Sequence, residues 1–178
     1  GTKAVNALSW KFVVQSFRDG KTRRTEFKQG HLISDTDVID YSGSEKRGTC
    51  IEFVPDNSKG LFENYHFRDE FIETMMRNYA YLNTGLTLNY NGNKYTSKNG
   101  LFDLLTDNMT VDPLYPIIHL KGEDIEIALT HTNQSGEEYH SFVNGQHTIQ
   151  GGTHQAALRE AIARTIKEFY NKNFELSD

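Results

Sequence analysis

Two adjacent glycines followed by a threonine and a histidine form the segment of this sequence best suited to ligand chemistry. Gly151, Gly152, Thr153 and His154 lie between a predicted strand and a predicted long helix. Glycines adopt backbone angles that other residues avoid, threonine can cap a helix, and the free N–H groups of a first helical turn favour an anion. The same residues are typical of a tight strand-to-helix turn with a threonine cap. The pattern therefore allows an anion site or a structural turn.

The remaining polar residues match no generic catalytic or metal-binding pattern. Several of the seven histidines fall in the second half, but too far apart for paired zinc ligands. They are His131, His140, His147 and His154. Ser141 lacks the Gly-x-Ser-x-Gly surroundings of a hydrolase nucleophile. We therefore predict no catalytic residue and no metal ligand in this sequence.

One acidic stretch and one thiol complete the set of reactive side chains. Asp35, Asp37 and Asp40 lie in a polar segment, residues 31–46, that we expect to be mostly solvated loop. Carboxylates there could hold a cation, but their spacing sets no coordination geometry. Cys50 is the only cysteine, which excludes an intrachain disulfide and fits a reducing compartment. We expect it to be a part-buried strand residue.

The elements that must position these residues begin with a hairpin. Residues 10–17 and 21–27 are rich in strand formers and flank an Asp-Gly pair, which supplies the positive φ angles of a tight turn. Residues 49–54 predict a strand that stops at Pro55. From Phe67 the apolar residues recur every three or four positions, which predicts a helix ending before Gly85.

The second half repeats this alternation of hairpins and helices. Residues 86–97 contain an Asn-Gly turn and predict a hairpin, followed by a short helix near residues 101–105. Three strands in meander order are predicted at residues 117–120, 125–131 and 139–143. A long helix is predicted over residues 154–170, with Leu158, Ile162, Ile166 and Phe169 on one face. The pattern indicates an α+β fold with helices packed on mostly antiparallel sheets.

Composition limits the classes of function. The 178 residues carry 19 Lys and Arg against 24 Asp and Glu, a formal net charge of −5 that disfavours broad attraction to nucleic acid. No apolar run approaches the length of a membrane span, and the first residues do not resemble a signal peptide. We therefore expect a cytoplasmic location. The chain begins within a helix-like stretch, so we expect it to be part of something longer.

Four segments, in order along the whole chain, resemble the ATPase region of the B subunits of bacterial type II topoisomerases, the family of gyrase and topoisomerase IV. Residues 5–9 read Val-Asn-Ala-Leu-Ser after a glycine, and residues 46–53 carry the Lys-x-Gly-Thr-x-hydrophobic-x-Phe strand. Residues 81–85 resemble the Phe-Leu-Asn-x-Gly helix end. Residues 141–144 and 151–154 are similar to the Phe-Val-Asn and Gly-Gly-Thr-His segment of the family.

This resemblance implies a two-part architecture. Residues 1–95 would be the later part of an ATP-binding domain of the gyrase, heat-shock-90, histidine-kinase and MutL (GHKL) type, an α/β sandwich. Residues 96–178 would begin a transducer domain, whose fold includes a left-handed β-α-β crossover. General handedness rules do not predict that crossover.

The resemblance also implies binding residues. Gly1 corresponds to the last glycine of the nucleotide lid, where backbone N–H groups lie against the triphosphate, and Thr2 is the next residue at that rim. Thr49 resembles the threonine whose hydroxyl helps hold adenine, and Ile51 an apolar wall of the same pocket. Lys3 departs from the small residue expected beside the lid.

By the same resemblance, the intact protein binds ATP and Mg²⁺ and passes one DNA double strand through another. Its partners would be the topoisomerase A subunit, double-stranded DNA and a second copy of the same subunit when ATP is bound. The family's catalytic Glu, Mg²⁺-binding Asn and transducer Lys fall outside this chain, so we expect the chain alone to be monomeric, without bound cofactor and without ATPase activity. The alternative is a stand-alone α+β module that binds an anion or a partner at Gly151 and Gly152.

Overall fold

The computed structural model of the chain describes residues 1–173, which form two compact units. The first unit is Gly1–Arg68 and the second begins at Asp69. The first is a twisted antiparallel sheet with one short helix, and the second combines three helices with three small hairpins. The predicted α+β class is confirmed by this arrangement.

The first unit is built on the predicted hairpin. Strands β1 (Ser9–Arg18) and β2 (Lys21–Lys28) pair in antiparallel register, with Arg18 opposite Lys21. The two turn residues, Asp19 and Gly20, have φ angles of +52° and +71°. An Asp-Gly pair tolerates these angles, so the turn matches the twist of the strands that it joins.

Three further strands complete this sheet. They are β3 (His31–Asp35), β4 (Ile39–Asp40) and β5 (Gly48–Pro55), and the order is β3-β2-β1-β5 with β4 also on β2. The predicted loop over residues 31–46 is therefore wrong in part. Two of its three aspartates are strand residues: Asp35 accepts hydrogen bonds from Arg23 and Thr25, and Asp40 pairs with Lys21 at 3.0 Å. Asp37 lies in the loop between β3 and β4.

The cross-strand ion pairs explain why part of this polar segment forms strands instead of a loop. A polar segment joins a sheet edge when its carboxylates lie opposite basic side chains, because unlike charges on paired strands attract.

Cys50 also departs from its prediction, since it lies on β5 as expected but is exposed. The core of the unit is formed by Phe12 and Val13 of β1, and the ring of Phe12 meets Phe27 edge to face.

The second unit starts with helix α2 (Asp69–Leu82), two residues later than predicted. Two acids, Asp69 and Glu70, occupy its first turn, where negative charge favours the start of a helix. Hairpin β6 (Leu88–Tyr90) and β7 (Asn93–Tyr95) follows, as predicted, and then helix α3 (Leu101–Asn108).

The last part of the chain differs from the predicted meander. Strands β8 (Ile118–Lys121) and β9 (Glu126–Leu129) form one hairpin, and β10 (Phe142–Val143) and β11 (Gln146–His147) form a separate one. Asn144 and Gly145 take φ angles of +49° and +79°. These angles let the chain reverse in a tight turn, so β10 pairs with β11. The described strand pairs are antiparallel, so the predicted left-handed crossover stays a prediction.

Helix α4 (Thr153–Asn173) is the longest element. Its predicted apolar face is largely open to solvent, since Ile166 is 53% and Phe169 58% exposed. Between residues 1 and 173 no helix is long and apolar enough to span a membrane.

Candidate functional site

The N-terminal helix and the last strand of the first unit border one cavity. Helix α1 (Thr2–Ala7) leads into β1, and β1 pairs with β5. The cavity has a volume of about 310 Å³. It is lined by Ala4, Val5, Leu8, Ser9, Phe53, Pro55, Phe62, Tyr65, His66 and Phe67. Such walls suit a flat or apolar group, because they offer ring faces and alkyl carbons.

Aromatic side chains form the outer wall of this cavity. The ring of Phe67 meets those of Phe53 and Tyr65 edge to face, with centroids 6.3 and 6.0 Å apart. Edge-to-face contact is a favoured geometry for aromatic pairs. The three rings therefore support one another although each is exposed on one side.

The predicted adenine-contacting residues lie on the cavity side of β5. Side chains alternate along a strand, so Thr49, Ile51 and Phe53 share one face. Their partners on β1 are Ser16, Val14 and Phe12 respectively, which places those side chains on the same face. The Ile51 side chain is 52% exposed, and Thr49 is also exposed. This face is open to a ligand and continues from the cavity wall.

The four predicted binding residues are not all brought together. Gly1 precedes α1, where its carbonyl accepts a hydrogen bond from Ala4 N–H at 2.9 Å, and Thr2 is the first helical residue. Neither residue lines the cavity, and the same holds for Thr49 and Ile51. The structure joins the elements that carry these residues, and the nucleotide contacts themselves stay predictions.

One buried polar residue beside this cavity was missed by the sequence reasoning. Asp56 follows β5 and is 1% exposed. Its carboxylate accepts hydrogen bonds from the Ser58 backbone and from Gln29, and bonds from these residues hold the pKa of Asp56 below its usual value. The available signal was weak: an aspartate after a strand-ending proline often bonds the backbone two residues later.

Charge pairs lie on both faces of the sheet. On the face opposite the predicted adenine-contacting residues, Lys11 donates to Glu52 at 2.7 Å, which lowers the pKa of the Glu52 carboxyl. On the same face as the predicted adenine-contacting residues, Arg23 and Thr25 donate to Asp35, and Arg23 gives the largest lowering of the Asp35 pKa. No cluster of potential metal ligands occurs within residues 1–173. The prediction that the sequence holds no metal ligand covers the whole chain, so it stays a prediction.

The turn at Gly151–His154 is packed by nearby side chains of the same chain, which occupy the space beside its two glycines. The Ser141 hydroxyl lies 2.5 Å from that of Thr148, and the Thr148 hydroxyl lies 3.4 Å from Nε2 of His154. A Cβ at Gly152 would lie 2.9 Å from the His154 ring, and one at Gly151 would lie 2.9 Å from Oε1 of Gln155. The two glycines make room for these side chains to fold back over the turn, so the turn interpretation accounts for the motif.

Comparison with known proteins agrees with these observations. The family model described as DNA gyrase B matches residues 69–178. The B subunit of DNA topoisomerase 4 from Borreliella burgdorferi is 42% identical over the whole chain, which covers 29% of that protein. The B subunit of DNA gyrase from Helicobacter pylori strain J99 is 32% identical over the whole chain, which covers 24% of that protein.

Solved structures give the same picture. The 43K ATPase domain of Thermus thermophilus gyrase B, solved with an aminocoumarin, matches 97% of this chain with a TM-score of 0.74 and 29% identity. The topoisomerase IV ATP-binding domain of Francisella tularensis, solved with a small-molecule inhibitor, matches 97% with a TM-score of 0.75 and 27% identity. The chain covers 50% and 49% of those two chains.

These comparisons also show how much of each relative's length the chain covers. It spans less than a third of the length of the curated relatives reported above. The solved neighbours are ATPase and ATP-binding domains, which confirms the predicted relation to the GHKL-type fold. Because the family model matches more than half of its residues, this chain belongs to the DNA gyrase B family.

Proposed function

We propose that this chain is part of the B subunit of an ATP-operated type II DNA topoisomerase, an isomerase that passes one DNA double strand through another. Residues 1–95 supply the later part of the ATP-binding domain, and residues 96–178 the beginning of the transducer. The chain's own role is mechanical: it forms one wall of the nucleotide site and relays the state of the nucleotide. ATP hydrolysis needs groups that this chain does not supply.

One observation carries this proposal: α1 and β5 meet at an apolar cavity, and the open face of β5 extends from it through Ile51 to Thr49. A hydroxyl beside apolar walls suits adenine, because the hydroxyl both donates and accepts hydrogen bonds while the base stacks on carbon. Gly1 and Thr2 form the rim toward the triphosphate. The names of the two solved neighbours, an ATPase domain and an ATP-binding domain, support the same ligand class.

The residues of the first unit suit the adenine of ATP better than the Mg²⁺-bound triphosphate. Thr49 and Ile51 offer a hydroxyl and an apolar contact, whereas residues 1–173 hold no cluster of metal-ligand side chains. Mg²⁺ would shield the triphosphate when bound, and its ligands belong to other parts of the full-length protein. The partners of the intact enzyme are the A subunit, double-stranded DNA and a second copy of the B subunit, in the cytoplasm.

Removal of one hydroxyl tests the proposed adenine contact. In the whole B subunit, Thr49→Val keeps the shape of a strand residue and removes the hydrogen-bonding group. We expect the dissociation constant for a non-hydrolysable ATP analogue to rise about 10-fold, the equivalent of roughly 1.4 kcal/mol. Isothermal titration calorimetry measures it directly.

Thr36→Val is the matched control, because Thr36 follows β3 at the opposite edge of the same sheet. Its hydroxyl is within 3.2 Å of the Arg24 carbonyl, so the control also removes a hydrogen bond. Unchanged analogue affinity in Thr49→Val, or an equal loss in both variants, would refute the adenine contact.

A further inference from the structure

A buried carboxylate beside the cavity is not used by the proposed nucleotide contacts. Asp56 is almost fully buried. Its Oδ2 accepts a hydrogen bond from Nε2 of Gln29 at 2.6 Å, and its Oδ1 accepts one from Ser58 N–H at 2.9 Å. The lowered pKa keeps this carboxyl ionised at neutral pH. An ionised group is retained at such a position only when several donors compensate its lost hydration.

The backbone of Asp56 contacts the joint between α1 and β1. Its N–H donates to the Leu8 carbonyl at 2.9 Å, and Gln29 N–H donates to the Ser9 carbonyl at 2.7 Å. The joint is thereby held from two sides, by the end of β5 and by the β2–β3 turn. The side-chain bond between Gln29 and Asp56 ties those two supports to each other.

Asp56 also positions the cavity wall. Its carbonyl accepts a hydrogen bond from Phe62 N–H at 3.1 Å, and both Phe62 and Leu8 line the cavity. The Ser9 side chain, buried at the same joint, donates to the Val5 carbonyl at 2.6 Å. One residue therefore links the joint, the cavity wall and the end of β5.

The orientation of α1 depends on this joint because the helix is too short to orient itself. A six-residue helix spans about 9 Å at 1.5 Å per residue. A tilt of about 10° at its C-terminal end would move Gly1 by roughly 1.5 Å over that length. Displacements near 1 Å are enough to impair a positioned binding or catalytic group.

We propose that Asp56 is a positioning residue that sets the orientation of α1 against the end of β5, and thereby the geometry of the nucleotide site. This inference rests on the proposed function, because it assumes that Gly1 and Thr2 on one element and Thr49 and Ile51 on the other contact the same ligand. Asp56 itself does not contact the nucleotide.

The test uses the whole B subunit and a non-hydrolysable ATP analogue, with affinity measured by calorimetry at a temperature where every variant is folded. Asp56→Ala should weaken binding at least 10-fold, because the Gln29 amide and Ser58 N–H lose their acceptor. Asp56→Asn should restore most of the affinity, since the Gln29 amide can turn and offer its oxygen to the new amide. Asp40→Ala, which removes an exposed aspartate of the same sheet, should bind as wild type.

Two further results separate positioning from a merely structural role. Gln29→Glu places two carboxylates together, so its analogue affinity should be low at pH 7.5 and recover toward pH 5 as one carboxyl takes up a proton. Gln29→Glu combined with Asp56→Asn should bind at pH 7.5 with near wild-type affinity. A lower melting temperature in Asp56→Ala with affinity within about 2-fold of wild type would overturn the inference.

The same measurements distinguish failure of this inference from failure of the proposed function. If the wild-type protein does not bind the analogue, the nucleotide site is refuted and the inference with it. If wild type binds and Thr49→Val weakens binding while Asp56→Ala does not, the site stands and only the positioning role of Asp56 is refuted.

Discussion

At the residue scale, single hydrogen bonds to carboxylates tie together elements that are far apart in sequence. In the second unit, the Tyr81 hydroxyl on α2 donates to Oδ2 of Asp107 on α3 at 2.5 Å. Tyr81 is buried while Asp107 is exposed. Burial, followed by the bond and charge of Asp107, raises the pKa of Tyr81 to about 12.

Tyr81 should make stability fall in alkaline solution. The unfolded phenol ionises near pH 10 and the folded one near 12, so ionisation favours the unfolded chain. The contribution of Tyr81 is fully present below pH 10 and is lost between pH 10 and 12. Tyr81→Phe should lower the free energy of unfolding by about 1 kcal/mol at pH 8, the typical worth of one hydrogen bond.

Urea unfolding followed by circular dichroism at pH 8 and pH 11 measures both effects. The difference between wild type and Tyr81→Phe should shrink at the higher pH. Tyr115→Phe, which changes an exposed tyrosine of the same unit, is the control for general alkaline effects. A pH-independent difference would contradict the assignment of the raised pKa to Tyr81.

At the element scale, short turn signals predicted the hairpins and failed where pairing depended on more distant residues. Asp19-Gly20 and Asn91-Gly92 have the positive φ angles that their sequence predicts. The segment from His31 was predicted as loop because its polar composition says nothing about basic partners on another strand. Its pairing depends on Arg23 and Lys21, which lie on β2.

The turn before α4 provides a test at this scale. At Gly152, φ is +149° and a Cβ would lie 2.9 Å from the His154 ring. Gly152→Ala should therefore lower the free energy of unfolding by about 1–3 kcal/mol, the cost of a residue held in a sparsely populated backbone region. Thermal unfolding of the variant provides the measurement.

Gly122→Ala serves as the comparison, because a Cβ there would meet Ile125 at an ordinary 3.5 Å. It should leave the melting temperature close to that of wild type. Equal stability of Gly152→Ala and wild type would show that the turn does not require glycine and would reopen the anion-site interpretation of this segment.

At the scale of the whole molecule, the two units belong to a family whose members are several times longer than this chain. Exposed apolar side chains on β5 and α4 are consistent with that relation, since Ile51, Phe53 and Phe169 are each more than 40% exposed. Large apolar surface of this kind is typical of interfaces. The proposed function assigns the hydrolytic groups to other parts of the B subunit, so the proposed activity depends on those parts.

This dependence predicts that the chain by itself does not hydrolyse ATP. Activation of the attacking water requires a positioned carboxylate and a metal-shielded triphosphate, which the proposal assigns to other parts of the full-length protein. A coupled assay with Mg²⁺ should show no turnover above background for the isolated chain and clear turnover for the whole B subunit with DNA. Mg²⁺-dependent turnover by the chain alone would contradict the proposed division of labour.

The sequence alone determined the α+β class, the hairpins with Asp-Gly and Asn-Gly turns, the course of the long helices and the family. These features depend on local backbone preferences, on the periodicity of apolar residues and on short motifs. Each of these is a property of residues that are close together in the sequence. Only the tertiary structure decided that Asp56 is buried at the joint of α1, that His154 and Gln155 fill their own turn, and that β10 pairs with β11 rather than with the preceding hairpin. Burial and strand pairing depend on which distant residues meet, because a carboxylate or a strand edge is stabilised only by the donors that the fold brings to it.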